Sequence, residues 1–166
     1  MHLKNRDKGP QAKRYGGHEG DPFHEPGTGK RTANRLSTDF GKEAASTMGL
    51  DEELVFKTIL FGKAQTAVVA ISPVSHKINS KMLAAAVNVR SIEPMDPQVA
   101  QRLTGYVRGG ISPFGQKKQL PTVLDESALH LERIYVSGGR RGLELGIAPT
   151  DLIRALSATT AHIHVD

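Results

Sequence analysis

Two apolar segments that lie close together in the chain constrain its fold more than any other feature. Residues 54–61 read LVFKTILF and residues 65–71 read QTAVVAI, with Gly62, Lys63 and Ala64 between them. Both segments are rich in β-branched residues, and a connection of three residues that begins with glycine is typical of a tight reversal. We therefore predict a β-hairpin.

Helices and further short strands are predicted around this hairpin, as in a compact α/β domain. A helix is expected from Phe40, with Thr38 or Asp39 as its cap and Gly49 as its end. A cap at Asp96 followed by Pro97 is typical of a helix start. The other predicted helices cover residues 80–87, 97–103 and 150–157, the last capped by Thr150 or Asp151, and the short strands cover residues 106–107, 122–124, 133–137 and 143–147.

Residues 1–38 differ from the rest of the chain. They contain six glycines, three prolines and seven apolar residues without helical or alternating spacing. Such a segment buries too little surface to offset its ordering entropy, so we predict a basic, Gly-rich disordered tail at 1–38 and a folded domain at 39–166. The sequence PGTGKRT at 26–32 lacks the Ser or Thr that a phosphate-binding loop needs after its lysine.

The composition excludes several kinds of chemistry. A chain of 166 residues suits one domain, and without cysteine it has neither a disulfide nor a thiol nucleophile. Its seven histidines never have the spacing of two ligands on one helix beside a carboxylate, so we expect no metal and no cofactor. No stretch is apolar enough for a membrane span or a secretory signal, so we expect a soluble, cytoplasmic protein without a membrane partner.

The positive charge says little about partners. The chain has 22 Lys and Arg against 17 Asp and Glu, a net charge of +5. Residues 1–38 contribute 8 − 4 = +4 of this excess. A basic tail usually improves solubility or binds polyanions weakly, so the charge by itself does not indicate nucleic-acid binding.

Lys57 is the first candidate site residue, because it interrupts an apolar strand. An ammonium group in such a place needs an anionic partner, reaches water, or loses its proton. Strand alternation equally permits Lys57 to face solvent together with Val55 and Ile59. The pattern alone leaves both interpretations open.

Two Gly-rich segments are the other candidates. Residues 105–115, GYVRGGISPFG, contain four glycines whose amides can approach an oxyanion, although two tight turns explain them equally well. Residues 135–144, YVSGGRRGLE, contain the GXXG pattern of a KH clamp, but that clamp joins two helices and this segment joins two strands. Ser137 lacks a histidine at a defined position to activate it, which argues against a Ser-His-Asp hydrolase.

Taken together, these segments resemble the YbaK/EbsC family of free-standing deacylases, which hydrolyse cysteine mischarged on proline tRNA. The resemblance rests on FGKEAASTMGL, VFKTIL, DPQVAQRLTGYVRGGISPFGQKKQLPT and IYVSGGRRGLEL, in this order between residues 40 and 163. It implies a single α+β domain with a mixed, strongly curved, barrel-like β-sheet flanked by helices. It also implies a first helix and strand, which we do not find in residues 1–38.

The resemblance implies a set of site residues. Glu144 stands where the family usually has aspartate, which keeps the carboxylate but lengthens it by one methylene. The implied residues are Lys57 and Gly109 as catalytic, and Thr58, Gly110, Ser137 and Glu144 as substrate-binding.

The implied activity is trans-editing of Cys-tRNA(Pro), and of Cys-tRNA(Cys) as a further substrate. The thiol of the substrate attacks its own ester, which needs no protein nucleophile. The implied partners are aminoacyl-tRNA(Pro) and prolyl-tRNA synthetase. Two alternatives stay open: editing of another amino acid, such as alanine on tRNA(Pro), and a noncatalytic module that binds tRNA or the synthetase.

Overall fold

The structure, a computed structural model, describes Gln11–Arg14 and residues 40–166. These residues form one α+β domain. Its helices are α1 (Phe40–Met48), α2 (Ser80–Ala86), α3 (Pro97–Thr104) and α4 (Pro149–Leu156), and short 3₁₀ turns lie at Glu52–Leu54, Ala64–Thr66 and Glu126–His130. Its strands are β1 (Gln11–Arg14), β2 (Phe56–Phe61), β3 (Val68–Pro73), β4 (Lys77–Ile78), β5 (Thr122–Asp125), β6 (Ile134–Ser137), β7 (Leu143–Ile147), β8 (Thr159–Ala161) and β9 (His164–Val165).

The described strands form three sheets. The largest has the order β2-β3-β5-β8 and is mixed, because β2 and β3 are antiparallel while β3, β5 and β8 run parallel. A second, antiparallel sheet has the order β1-β7-β6, and a third pairs β4 with β9. A single bridge between Val55 and Tyr135 links the first two sheets, which places the start of β2 beside β6.

Strand β3 lies at the centre of the core. All six of its residues are buried, and five of them are apolar, Ser72 being the exception. Val69 and Ile71 pack into one cluster with Phe56 of β2, and Val68 and Ala70 pack into a second cluster on the opposite face. The predicted β2–β3 hairpin is therefore confirmed, and β2 forms the outer strand of this sheet.

The predicted first residue of α1, its end at Gly49 and the predicted cap of α3 are also confirmed, whereas the predicted cap of α1, Thr38 or Asp39, lies outside the described residues. Helix α1 begins at Phe40, and the chain leaves it through Gly49 at φ +65°. The Asp96 carboxylate accepts hydrogen bonds from the backbone amides of Gln98 and Val99, which caps α3.

One strand was not expected. Residues Gln11–Arg14, in the predicted tail, form β1 and pair antiparallel with β7. The expectation that this part of the chain lacks a strand is wrong for these four residues. The free edge of β7 offers backbone N–H and C=O groups to any extended segment, so pairing there does not need an apolar sequence. The other residues of the predicted tail lie outside the described part of the chain.

Two local predictions were wrong. Residues 106–107 form no strand, because the Tyr106 amide donates to Thr104 Oγ1 and the Val107 carbonyl accepts from the Gly110 amide. Helix α4 begins at Pro149, whose fixed φ suits the first helical position, rather than after a cap at Thr150 or Asp151.

The expected mixed α+β architecture is confirmed. The described strands form three sheets rather than one, and none of the three is found closed or curled. No helix among the described residues has the length and apolarity to cross a membrane.

Candidate active site

Strand β2 contributes the central pair of site residues, Lys57 and Thr58. Lys57 is half-buried, and its ammonium group donates a hydrogen bond to the backbone carbonyl of His76, in the turn after β3. The hydroxyl oxygen of Thr58 is buried and has no hydrogen-bond partner among the described residues. Both side chains border the same cavity.

Strands β6 and β7 contribute a cross-strand pair, Ser137 and Glu144, which lie opposite each other in the antiparallel register. The Ser137 hydroxyl accepts a hydrogen bond from the Gly139 amide at 3.3 Å, as serines in turns commonly do. Glu144 is 7% exposed, and its Oε2 has no hydrogen-bond partner in the described part of the chain. Burial raises the pKa of the Glu144 carboxyl to about 7.

The first Gly-rich loop makes a tight turn at residues 107–110. The Gly110 amide donates to the Val107 carbonyl at 2.9 Å, and Gly109 has φ +86°, where residues other than glycine are strained. A Cβ atom on Gly110 would stand 2.6 Å from Arg140 Cα, so the two Gly-rich loops pack against each other here. For the Gly109 amide, no hydrogen bond is found among the described residues.

Helix α1 closes one side of the site. The Phe40 ring lies against Gly109, where an added Cβ atom would stand 3.1 Å from it, and the Arg141 guanidinium lies 5.2 Å from the ring centroid. Arg141 also binds both carboxylate oxygens of Glu43, at 2.8 and 2.7 Å. This contact, the Arg141–Glu43 clamp, ties the second Gly-rich loop to α1 and positions Phe40.

These elements enclose a cavity of about 430 Å³. Five of the six predicted site residues border it, namely Lys57, Thr58, Gly109, Ser137 and Glu144. Gly110 is not among the lining residues, and its amide is already engaged in the turn. The remaining lining residues are Phe40, Gly41, Lys42, Val55, Phe56, Ile59, Leu60, Val74, Pro94, Met95, Pro97, Ala100, Arg108 and Ile111.

Positive charge predominates at the cavity. Lys42, Lys57 and Arg108 line it together with a single carboxylate, Glu144. Because the pKa of Glu144 is about 7, a large fraction of this carboxyl is protonated at neutral pH. The described lining contains no histidine and one carboxylate, which is too few ligands for a metal ion. The arrangement suits an anionic ligand with a small apolar or polar end.

Reasoning from the sequence missed the contribution of α1. Phe40 and Lys42 were seen only as parts of a predicted helix, and Arg108 only as part of a glycine-rich turn. The available signal was their position inside FGKEAAS and GYVRGG, two of the segments on which the family resemblance rests.

Comparison with known proteins places the chain in a family. The family model of the aminoacyl-tRNA editing domain matches residues 38–155. The EbsC protein of Enterococcus faecalis, named for deacylation of Cys-tRNA(Pro) and Cys-tRNA(Cys), is 34% identical over 123 residues, which cover 74% of this chain and 75% of that protein. The chain therefore belongs to the aminoacyl-tRNA editing domain family, as its resemblance to YbaK/EbsC proteins predicts.

Solved structures show the same fold. A structure described as a trans-editing enzyme for prolyl-tRNA synthetase matches with a TM-score of 0.74 at 20% identity, over 95% of this chain and 87% of that one. The hypothetical protein APE2540 matches with a TM-score of 0.69 at 23% identity, over 75% and 83% of the two chains. With the family established, the predicted class of enzyme, an aminoacyl-tRNA deacylase, is confirmed.

Proposed function

We propose that this protein is a trans-editing enzyme that removes cysteine from Cys-tRNA(Pro), with Cys-tRNA(Cys) as a further substrate. The observation that carries the proposal is the convergence of Lys57, Thr58, Gly109, Ser137 and Glu144 on one cavity. These residues come from three separate segments of the sequence. The name of the Enterococcus faecalis relative supports cysteine as the amino acid.

The dimensions and charge of the cavity support an aminoacyl-tRNA end as the ligand. A volume of about 430 Å³ falls within the roughly 300–1,000 Å³ of small-molecule sites, so only the acylated end of a tRNA fits. The cations Lys42, Lys57 and Arg108 complement the phosphodiester backbone near that end. The apolar lining leaves room for a small side chain beside the ester.

The chemistry needs no protein nucleophile. The cysteinyl sulfur attacks the carbonyl carbon of its own ester, the bond from that carbon to the ribose oxygen breaks, and a cyclic thiolactone leaves. The site has to hold the thiol near the carbonyl and stabilise the oxyanion that develops, and both effects are large in enzymes. We assign the oxyanion contact to the Gly109 amide, and the binding of the carbonyl or the terminal nucleotide to Lys57.

Glu144 is suited to move the proton. A carboxylate with a pKa of about 7 takes the thiol proton as the carbon–sulfur bond forms and gives it to the ribose oxygen as the ester breaks. The Glu144 carboxyl is unchanged at the end of the reaction. Its Oε2, buried and without a partner among the described residues, is the atom assigned to this transfer.

Single-turnover hydrolysis tests the proposal. Cys-tRNA(Pro), Ala-tRNA(Pro), Cys-tRNA(Cys) and S-methylcysteinyl-tRNA(Pro) are compared with the wild type, Lys57→Ala and the control Lys81→Ala, which changes an exposed lysine on α2. We expect rapid cysteine release that needs the free thiol, a rate lowered roughly 10²–10³-fold by Lys57→Ala, and no effect of Lys81→Ala.

Two results would contradict the proposal. Release of alanine or S-methylcysteine at the rate of cysteine would mean that the thiol takes no part, and that the enzyme edits another amino acid. No release from any substrate by a folded protein that still binds tRNA would favour the noncatalytic module. Binding of prolyl-tRNA synthetase is tested separately by co-sedimentation with and without tRNA(Pro).

A further inference from the structure

A cluster of imidazole and carboxylate groups lies outside the cavity, where the chain after β3 meets the last strand. Residues His76, His164 and Asp166 each offer one ligand atom, and these three atoms lie within 4.8 Å of one another. The His76 and His164 rings stack with their centroids 4.4 Å apart, and the His162 ring meets His164 edge-on at 4.5 Å. The helix-spacing test applied to the sequence could not find this cluster, because His76 is far from His164 and Asp166 in the chain and none of the three lies on a helix.

Each of the two stacked histidines has a carboxylate at one ring nitrogen. His164 Nδ1 lies 2.8 Å from Asp125 Oδ2, and His76 Nε2 lies 3.4 Å from Glu53 Oε1. Metal-binding histidines usually donate their second N–H to such a partner, which fixes the ring and directs the other nitrogen to the ion. This leaves His164 Nε2 and His76 Nδ1 as the ring nitrogens that Asp125 and Glu53 do not contact.

Asp125 holds His164 firmly. Its side chain is fully buried, and it also accepts hydrogen bonds from the backbone amides of Ile163 and Ser127, each at 3.0 Å. The 2.8 Å contact between Asp125 Oδ2 and His164 Nδ1 fixes the orientation of the ring, and Nε2 is the ring nitrogen that Asp125 does not contact.

The third group has the right separation. Asp166 Oδ1 lies 3.3 Å from His76 Nδ1. Two ligands at roughly 2.0–2.1 Å from a tetrahedral zinc ion stand about 3.3 Å apart. Imidazole and carboxylate donors together suit zinc and the other late first-row divalent ions.

We propose that His76, His164 and Asp166 form a binding site for a zinc-like divalent transition-metal ion. Asp125 and Glu53 orient the two histidines from outside the coordination shell. The ion would join β9 to the turn after β3. Because that turn also supplies the His76 carbonyl that binds Lys57, the ion would help to hold the lysine of the cavity in place.

Direct zinc binding tests the proposal without using deacylase activity, so failure of the metal site and failure of the editing function are distinguishable. The full chain without an affinity tag is stripped with EDTA and titrated with Zn²⁺ by calorimetry, and with Co²⁺ for its visible absorption. We expect one ion per chain and the intense visible bands of tetrahedral Co²⁺. Binding should weaken about tenfold or more in His76→Ala and Asp166→Ala, and roughly 10–100-fold in Asp125→Asn.

Two controls separate this site from other histidines. His130→Ala changes an exposed histidine on a 3₁₀ turn, and a triple variant changes His2, His18 and His24 to Ala. Both should bind zinc as the wild type does. Circular dichroism verifies folding, and the exposed position of Asp166 makes Asp166→Ala the variant least able to disturb the core. Unchanged affinity in His76→Ala and Asp166→Ala, or no binding of micromolar zinc by the folded wild type, would overturn the proposal.

Discussion

Glu144 links the candidate site to the stability of the fold. Its pKa is about 7 in the folded protein because burial disfavours the charged form, whereas an exposed glutamate has a pKa near 4.5. The folded state therefore binds the proton more tightly than the unfolded state. The neutral carboxyl contributes its full stabilisation below about pH 4.5, and this contribution is lost as the pH rises through about 7.

Replacing Glu144 with a neutral residue should remove the loss of folding stability that accompanies the rise in pH. We expect Glu144→Gln to be more stable than the wild type at about pH 8, by at most about 3 kcal/mol, and to differ little at about pH 4. Urea unfolding across this pH range measures it, with the exposed Glu126→Gln as control. A wild-type free energy of unfolding with the same pH profile as Glu144→Gln would show that the carboxyl does not titrate as described.

Gly109 allows a comparison of backbone strain with site geometry. Both Gly109 and Gly49 have positive φ, but an added Cβ atom meets the Phe40 ring at Gly109 and nothing within 4 Å at Gly49. Alanine at either position should cost roughly 1–2 kcal/mol of stability. Only Gly109→Ala should also slow single-turnover deacylation, because the ring and the turn must move apart. Equal activity of the two variants would argue against a role for Gly109 at the cavity.

At the level of elements, the Arg141–Glu43 clamp is expected to matter more for activity than for stability. The two side chains are about one third exposed, and such ion pairs contribute at most about 1 kcal/mol. Arg141→Lys keeps the charge but loses the planar guanidinium, whose Nη2 contacts both oxygens of Glu43 and which lies over the Phe40 ring. We expect an unchanged melting temperature and a several-fold lower kcat/KM, because α1 and Phe40 lose their fixed position. Arg154→Lys, on the exposed face of α4, is the matched control; an equal effect there would contradict this role for the clamp.

The elements that could be predicted are those whose own sequence determines them. Apolar β-branched runs gave β2 and β3, and the side chain of Asp96 marked the start of α3. Strand β1 was missed because its pairing with β7 uses backbone groups, which any sequence has. The cross-strand contact of Ser137 with Glu144 follows from register, which a pattern of residue types leaves undetermined until the strands are paired.

In the candidate site, too, some features could be predicted from the local sequence and others could not. Lys57 and Gly109 stand out in the sequence because a charge in an apolar strand and a glycine-rich loop are unusual. By contrast, the hydrogen bond of the Gly110 amide and the contact of Phe40 with Gly109 depend on the tertiary structure. They depend on how a turn and a helix end meet, and the spacing of residues along the chain does not indicate it.

For the whole molecule, we expect local stability to fall from the central sheet towards its periphery. Strand β3 is buried on both faces and paired on both edges, whereas β4 and β9 form a two-residue pair. Amides of Val69 and Ile71 should exchange with solvent at the rate of global unfolding, and those of β4 and β9 much faster. Hydrogen exchange followed by NMR measures both; equal protection in metal-free protein would contradict this order.

His76 has a consequence for how this protein tolerates mutation. The group that accepts the Lys57 hydrogen bond is the backbone carbonyl of His76, which every amino acid possesses. No substitution at position 76 deletes the acceptor, so its loss requires displacement of the turn itself. In a mutational scan, position 76 should therefore tolerate many side chains at low metal concentration, while insertions or deletions beside it abolish activity. This hydrogen bond of Lys57 is therefore insensitive to point mutation at position 76 and sensitive to insertions and deletions beside it.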